Sequence, residues 1–452
     1  MRGGRSVSCT AQLVSYLVAS RPDDIPADVQ HHGCRSLLNV VGCALGGARH
    51  PAVELAIAAL GPFAGPPTCS VLGRTERYDP LLAALLNGIS SHVLDYDDTL
   101  PKNYIHASSP VAAALFAFAS ANPVSGRDFL HAFILGFEVV SRIGNATYPA
   151  HYAAGWHSTG SIGVFGAAVA VGKLLRLDAE RMTYAIGLAA TQASGIREMF
   201  GSMAKGFHPG RAAQSGYMAA LLAEQGFSSG RFPLEGPRGF AAVTASAFDL
   251  DKVVDRLGDE FDLRYNTYKP FPSGIVIHPT IDACMQLRAA HGLTAAQVQS
   301  VELRVAPLVK DLCDKQFITV GLEGKFSIYH AAAIGLGRGR GGLAEFTDEA
   351  VNDPELVALR AATRAIGDPT VGEDAVVVAV HLRDGRTVGM RLEASLGNLQ
   401  RPLSDAQLEA KFRDQATVLT PAQCDQAIAA CWGIATLHDV TALIDHCIAS
   451  GQ

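Results

Sequence analysis

Between residue 7 and about residue 265 the chain repeats one pattern, with apolar side chains at helical spacing and alanine, glycine and serine between them. The segments ADVQHHGCRSLLNVVGCALGG, SGRDFLHAFILGFEVVSRIGNA, IGVFGAAVAVGKLLRL, DAERMTYAIGLAATQASG and AAQSGYMAALLAEQGF all read this way, and Pro/Asp or Gly breaks set them apart. Small residues at that density predict helices packed closely around a large core. Lys173 or glycines interrupt the apolar runs well before a bilayer would be crossed, so no membrane partner is expected.

Near residue 265 the texture changes. YNTYKPFPSGIVIHPTIDACMQLRAAHGL brings prolines and a glycine ahead of a helix that begins after His278, and VQSVELRV alternates as a strand does. KFSIYHAAAIGLG and DPELVALRAATRAIG read as helices, AVVVAVHLRDGRTVGMRLEAS as a hairpin across Asp384-Gly385, and the last fifty residues as helices again. The fold class predicted is mainly α with an inserted α+β domain. Residues 1–268 and 399–452 would form one helical domain, and 269–398 a smaller α+β lid.

Composition narrows the partners. A net charge of −6 with no basic run disfavours nucleic acid. A charged fraction of 18% beside 48% hydrophobic residues predicts a homodimer with a large apolar interface. The nine cysteines show no CxxC or CxxH spacing and read as reduced thiols of a cytoplasmic protein. The N-terminal segment MRGGRSVSCTAQLVSYLVAS has a little positive charge and a short mildly apolar stretch but no long apolar region and no clear cleavage site, so secretion is not expected.

Against that apolar background stands SHVLDYDDTLPKNYIHASSP, residues 91–110. Asp79 as N-cap and Pro80 at the first turn predict the helix that delivers it. Continued onward, that helix would place Asp95 and Thr99 on one face. His106 then opens a second apolar run, with Ser108 or Ser109 as its cap. Asp95, Asp97 and Asp98 could merely decorate a helix end, but acidic groups there oppose the macrodipole, which favours a functional cluster.

Three further stretches carry polar groups. GWHSTGS sets His157 before a helix start, where it is a candidate for binding an anion or an ordinary loop histidine. MAKGFHPGRAAQSG gathers Lys205, His208 and Arg211 around Gly206 and Pro209, which predicts a turn presenting Lys205. KPFPSGIVIHP carries Lys269 and His278. Cationic and hydrogen-bonding groups in separate loops, with no metal-ligand spacing, suit a small polycarboxylate and imply no metal or cofactor.

LDYDDT with His106, GWHSTGSIGVFGAA, MAKGFHPGRAAQSG, YKPFPSGIVIHPTIDA and KFSIYHAAA occur in the order of the hallmark segments of the 2-methylcitrate dehydratase (MmgE/PrpD) family, which the chain resembles along nearly its whole length. The resemblance implies a metal-independent, cytoplasmic, homodimeric lyase with a helical domain and an α+β lid. It also implicates Asp95, Thr99, His106, His157, Lys205 and His278, of which Asp95, His106, Lys205 and His278 are expected to be catalytic; Thr99 and His157, with His208, Arg211 and Lys269 from the polar stretches, are expected around the substrate. Known family activities are 2-methylcitrate dehydratase, cis-aconitate decarboxylase and iminodisuccinate epimerase. The first expectation is a dehydratase acting on a hydroxy-tricarboxylate. Decarboxylation and epimerisation are the alternatives, and a helical scaffold without catalysis is a remote one. Two segments depart from the family wording, the LPKNYI loop by one residue in length and GIVIHP in its residues, so the resemblance names the family rather than the substrate.

Each of these reactions makes or protonates a carbanion beside a carboxylate, and the doubled charge needs fixed donors. Lys205, His157 and Thr99 are suited to that, His106 or His278 to moving the proton, and Asp95 to fixing an imidazole tautomer.

Overall fold

The structure, a computed structural model, describes residues 8–449. Residues 1–7, the first part of the segment on which the reading of the N-terminus rested, lie outside it, and the mildly apolar part forms helix Cys9–Ala19. The chain is mainly α with a small α+β part, as expected. Two apolar clusters organise it. The larger gathers Leu13, Leu37, Leu86, Val111, Phe133, Phe165 and Ala213 and is completed by Phe412, Ile428 and Leu443 from the far end of the chain. The smaller draws only on residues between Phe271 and Leu382 among its buried members, including Ile281, Leu303, Ile334 and Val378.

In the helical part, Asp79 accepts from the amides of Leu81 and Leu82 and starts helix Pro80–His92. Its neighbour is helix Met203–Glu224, and the two cross at glycines. A Cβ placed on Gly88 would lie 2.4 Å from the Gly210 Cα, and one on Gly210 would lie 2.4 Å from the Leu85 carbonyl oxygen. Only hydrogen fits there, so the backbones touch. Gly206 and Pro209 lie inside this helix rather than in the predicted turn. Tertiary packing holds the helix through Pro209, which cannot donate the bond that would close on the Lys205 carbonyl.

A two-residue ribbon pairs β1 (Cys69–Ser70) with β2 (Arg77–Tyr78). The main sheet contains β3 (Val298–Val305), β4 (Thr363–Gly367), β5 (Val376–Leu382) and β6 (Thr387–Leu392), in the order β4-β3-β5-β6. β5 and β6 form the predicted hairpin, whereas TRAIG, read above as the end of a helix, is a strand parallel to β3. β-branched Thr363 and Ile366 suit the pleat there, and helix Pro354–Ala361 ends before them. Helices His278–His291 and Ile328–Arg338 pack on the sheet. The nine cysteines are free thiols, all but Cys9 buried.

Between the two clusters the chain passes close to the polar stretch. Thr99 and Thr267 exchange backbone hydrogen bonds of 2.9 and 3.0 Å, which ties the loop after helix Pro80–His92 to the segment leading into Lys269.

Candidate active site

Helix Pro80–His92 stops before the aspartates. Asp95 has a left-handed backbone, φ 52°, so Asp95 and Thr99 do not share a helix face. A short polar side chain tolerates that conformation better than most. The turn aims three carboxylates in three directions. Asp95 Oδ1 accepts from Lys205 Nζ at 3.0 Å and from Lys269 Nζ at 2.6 Å. Asp97 faces His92 Nδ1 at 2.8 Å and His106 Nδ1 at 3.4 Å. Asp98 accepts from Ser108 Oγ at 2.7 Å and Asn266 Nδ2 at 2.5 Å. Ser108 is therefore the first residue of helix Ser108–Ala121 and a partner of Asp98, not its N-cap.

The glycine-lined crossing brings Lys205 to His92, with Nζ 3.0 Å from Nε2. An ammonium can only donate, so Nε2 is the acceptor and Nδ1 carries the hydrogen that His92 gives to Asp97. His106 likewise turns Nδ1 toward Asp97 and Thr99 Oγ1, each at 3.4 Å, and its ring meets that of His92 edge-on at 4.6 Å. His157 and His208 share one hydrogen between their Nδ1 atoms, 2.8 Å apart. The tautomer-fixing carboxylate is thus Asp97; Asp95 touches lysines instead.

Several of these groups wall one side of a small cavity. Asp95, Thr99, His106, His157, Lys205 and Lys269 form the polar side, and Phe200, Ile275, Val276, Leu312, Cys313 and Phe326 the apolar one. Tyr104, Tyr152 and Gly274 complete the lining. Phe200 and Phe326 also hold the Lys205 ammonium over their rings at 5.4 and 5.5 Å.

Burial governs the protonation states. It would raise the Asp95 carboxyl, but Lys205 and Lys269 outweigh it and hold Asp95 well below the usual carboxylate range. Asp97 is likewise held down against burial, by His92 and His106. Among the described residues Asp98 forms no ion pair; burial and then the Asp97 charge push it up to about 7. Burial lowers His106, partly opposed by Asp97, and lowers His157, with Lys205 adding to the effect. The resting site therefore holds neutral imidazoles beside two lysines that share one carboxylate.

Not every predicted residue reaches the cavity. His278 is the first residue of its helix, and its Nε2 is turned to the Ser273 carbonyl at 3.3 Å with Phe271 against the ring, so it does not line the cavity. Arg211 reaches Gln214 Oε1 of its own helix at 2.7 Å, and His208 stands behind His157. Sequence reasoning passed over His92, which looked like one more residue of an apolar helix, and over the pairing role of Asp97. The available signal was HVLDYD itself, in which His92 precedes two aspartates within five positions.

Two sets of groups, His92 with His106 and His157, and Asp95 with Asp97 and His106, bring ligand-type atoms within 4.8 Å of one another. In both, hydrogen bonds already engage atoms a metal would need, and the Lys205 ammonium stands against His92 Nε2 and Asp95, where it would repel a second cation.

Fold and site together describe a mainly helical protein with a cavity walled by lysines, histidines and a carboxylate, beside an α+β unit. Residues 11–252 match the MmgE/PrpD N-terminal domain and residues 271–434 the MmgE/PrpD C-terminal domain, and the chain belongs to this family. It is 37% identical over 227 residues to a cis-aconitate decarboxylase-like protein of Aspergillus oryzae, a match covering 48% of this chain and 47% of that protein, about half its length. It is 26% identical over 440 residues to the cis-aconitate decarboxylase of Aspergillus terreus, covering 91% and 90% of the two chains. With human cis-aconitate decarboxylase it shares 28% identity over 358 residues, 75% and 73% of the chains.

Proposed function

We propose that this protein is a metal-independent lyase that decarboxylates a small unsaturated di- or tricarboxylic acid of the cis-aconitate type. The observation that carries this reading is the Lys205–Asp95–Lys269 bridge in one cavity with His106. In such an acid the departing carboxylate sits on a carbon next to a double bond. As its C–C bond breaks and CO₂ leaves, the electron pair moves through the double bond to the carbon beside another carboxylate. That carbon then takes up a proton.

The two ammonium groups are placed to stabilise the carboxylate whose charge doubles in this step. Asp95 neutralises only one of them, which leaves one positive charge for the substrate. His106 presents Nδ1 to Asp97, so Nε2 is the atom left to exchange a proton with carbon. The substrate's negative charge and Asp97 both favour the imidazolium that burial disfavours. Thr99 and His157 add hydrogen bonds to the remaining carboxylate oxygens.

Dehydration, the first expectation, has less behind it. The relatives aligned over most of the chain are named decarboxylases, and a dehydration needs a second acid for the leaving hydroxyl, whereas His278, the other candidate for moving a proton, is turned away from the cavity. We take residues 269–398 as the lid and the working form as a homodimer in the cytoplasm, requiring no cofactor.

The test is proton NMR of purified protein with a panel of aconitate-like, citrate-like and aspartate-derived acids. Loss of CO₂ with appearance of a methylene-bearing acid is the expected result. Hydration, dehydration or epimerisation without CO₂ release would overturn it.

A further inference from the structure

The left-handed turn at Asp95 is gripped from outside by lysines from three distant parts of the chain. Lys325 Nζ donates to the Leu94 carbonyl at 2.7 Å, Lys269 Nζ to the Asp95 carbonyl at 3.2 Å, and Lys411 Nζ to the Tyr96 carbonyl at 2.6 Å. Three consecutive carbonyls thus each meet a different ammonium group. All three lysines are buried, at 2% exposure for Lys269, 3% for Lys325 and 6% for Lys411. Among the described residues no carboxylate pairs with Lys325; its other bond is to the Pro272 carbonyl at 2.7 Å, and it lies over the Phe346 ring at 5.2 Å. Lys411 bonds Asn39 Oδ1 at 2.7 Å and lies over the Tyr96 ring at 4.0 Å.

Burying an ammonium group on neutral carbonyls is costly, and stability alone would favour an apolar side chain of the same length. The burial bears on the groups themselves: it lowers Lys325 to about 7 and Lys411 to about 8. What the two lysines accomplish is geometric. A non-glycine residue leaves the left-handed region unless its surroundings prevent it. Fixing the carbonyls on either side of Asp95 keeps its peptide planes, and hence its carboxylate, pointed at Lys205 and Lys269.

We infer that Lys325 and Lys411 are positioning residues, holding the Leu94–Asp95–Tyr96 backbone so that Asp95 bridges Lys205 and Lys269 in the cavity. The assignment rests on Asp95 belonging to the site proposed above. It gives KFSIYHAAA a purpose that the cavity lining alone does not, since Lys325 ties the smaller unit to the turn. It also makes helix Asp405–Gln415, which carries Lys411, part of the site's framework.

The experiment is the pair Lys325→Met and Lys411→Met, with Lys325→Gln as a second variant should either fold poorly. Each is crystallised and, on whichever acid the wild type converts, assayed for kcat and KM beside a thermal melt. The expected result is that Asp95 leaves its left-handed conformation or loses a lysine contact. The same variants should lose about 10²-fold in kcat, the scale for a small misplacement of a site group, with KM and melting temperature little changed. A crystal structure with Asp95 still left-handed and still on both lysines would overturn the assignment, as would unchanged kcat. If the wild type converts none of the acids, the proposed function fails, while the conformation of Asp95 in the variants still decides this assignment.

Discussion

Replacing Asp95 by asparagine keeps the shape of the side chain and removes one charge, which isolates the electrostatic content of the bridge. Asp95 Oδ1 lies 3.0 Å from Lys205 Nζ and 2.6 Å from Lys269 Nζ, and all three side chains are almost fully buried. At an effective dielectric of about 20, a unit pair at such a distance attracts by roughly 5–6 kcal/mol, and removing an ion from water costs several kcal/mol. Removing the shared anion leaves two ammonium groups unpaired, so the expected loss of stability at pH 7 is about 3–5 kcal/mol. The loss should depend on pH with a definite sign. Asp95 has a folded pKa below its unfolded value, so its contribution is fully present above about pH 4 and fades as pH falls through the folded pKa. Urea unfolding followed by circular dichroism at pH 7 and again near pH 3 should therefore show a smaller difference between wild type and Asp95→Asn at the lower pH. Equal stability at pH 7 would refute the reasoning, because the two lysines would then have no need of this carboxylate.

Four further outcomes are expected. His106→Gln should lower the rate of CO₂ release by about 10²–10⁴ with the protein still folded, the usual range for a proton-transfer group. Lys205→Met should cost about 10²–10³ in kcat/KM by the same assay, with little loss of stability, because Lys269 remains on Asp95. Asp98 is raised to about 7 by burial and by Asp97, so the folded state loses stability as pH climbs from about 4 to 7; Asp98→Asn should abolish that decline, gaining up to ~4 kcal/mol at pH 8 in denaturant titrations. Activity should survive dialysis against EDTA, and metal-dependent recovery after such treatment would contradict the metal-free mechanism.

The helical framework was legible because Asp79, Pro80 and the period of the apolar residues act locally, and the hairpin at Asp384-Gly385 for the same reason. TRAIG misled because its strand exists only by pairing with β3, some sixty positions earlier in the chain. At the site, the sequence singled out Asp95, Thr99, His106, His157, Lys205 and Lys269, which the structure gathers in one cavity. It did not show that the helix would stop at His92, because that depends on the left-handed turn held by distant lysines. Nor could it show which way His278 and Arg211 face. A histidine before a proline looks the same whether its ring meets a cavity or the Ser273 carbonyl. Spacing likewise concealed the helix through Pro209, which packing enforces against local propensity.

The far ends of the chain meet in one apolar core, where Leu13 and Leu37 share a cluster with Phe412, Ile428 and Leu443. During synthesis the early helices therefore emerge without the surface that will cover them. Helix Ala27–Gly47 has to wait for helix Asp405–Gln415, against which Gly42 packs on Phe412. Contacts of such sequence separation close late and leave apolar faces open meanwhile, a state prone to aggregation. The smaller cluster between Phe271 and Leu382 has no such dependence and can condense as soon as β6 is made. The largest part of the molecule, begun first, is therefore completed last. A nascent chain lacking its final helices would carry every cavity-lining residue and still hold an unformed site.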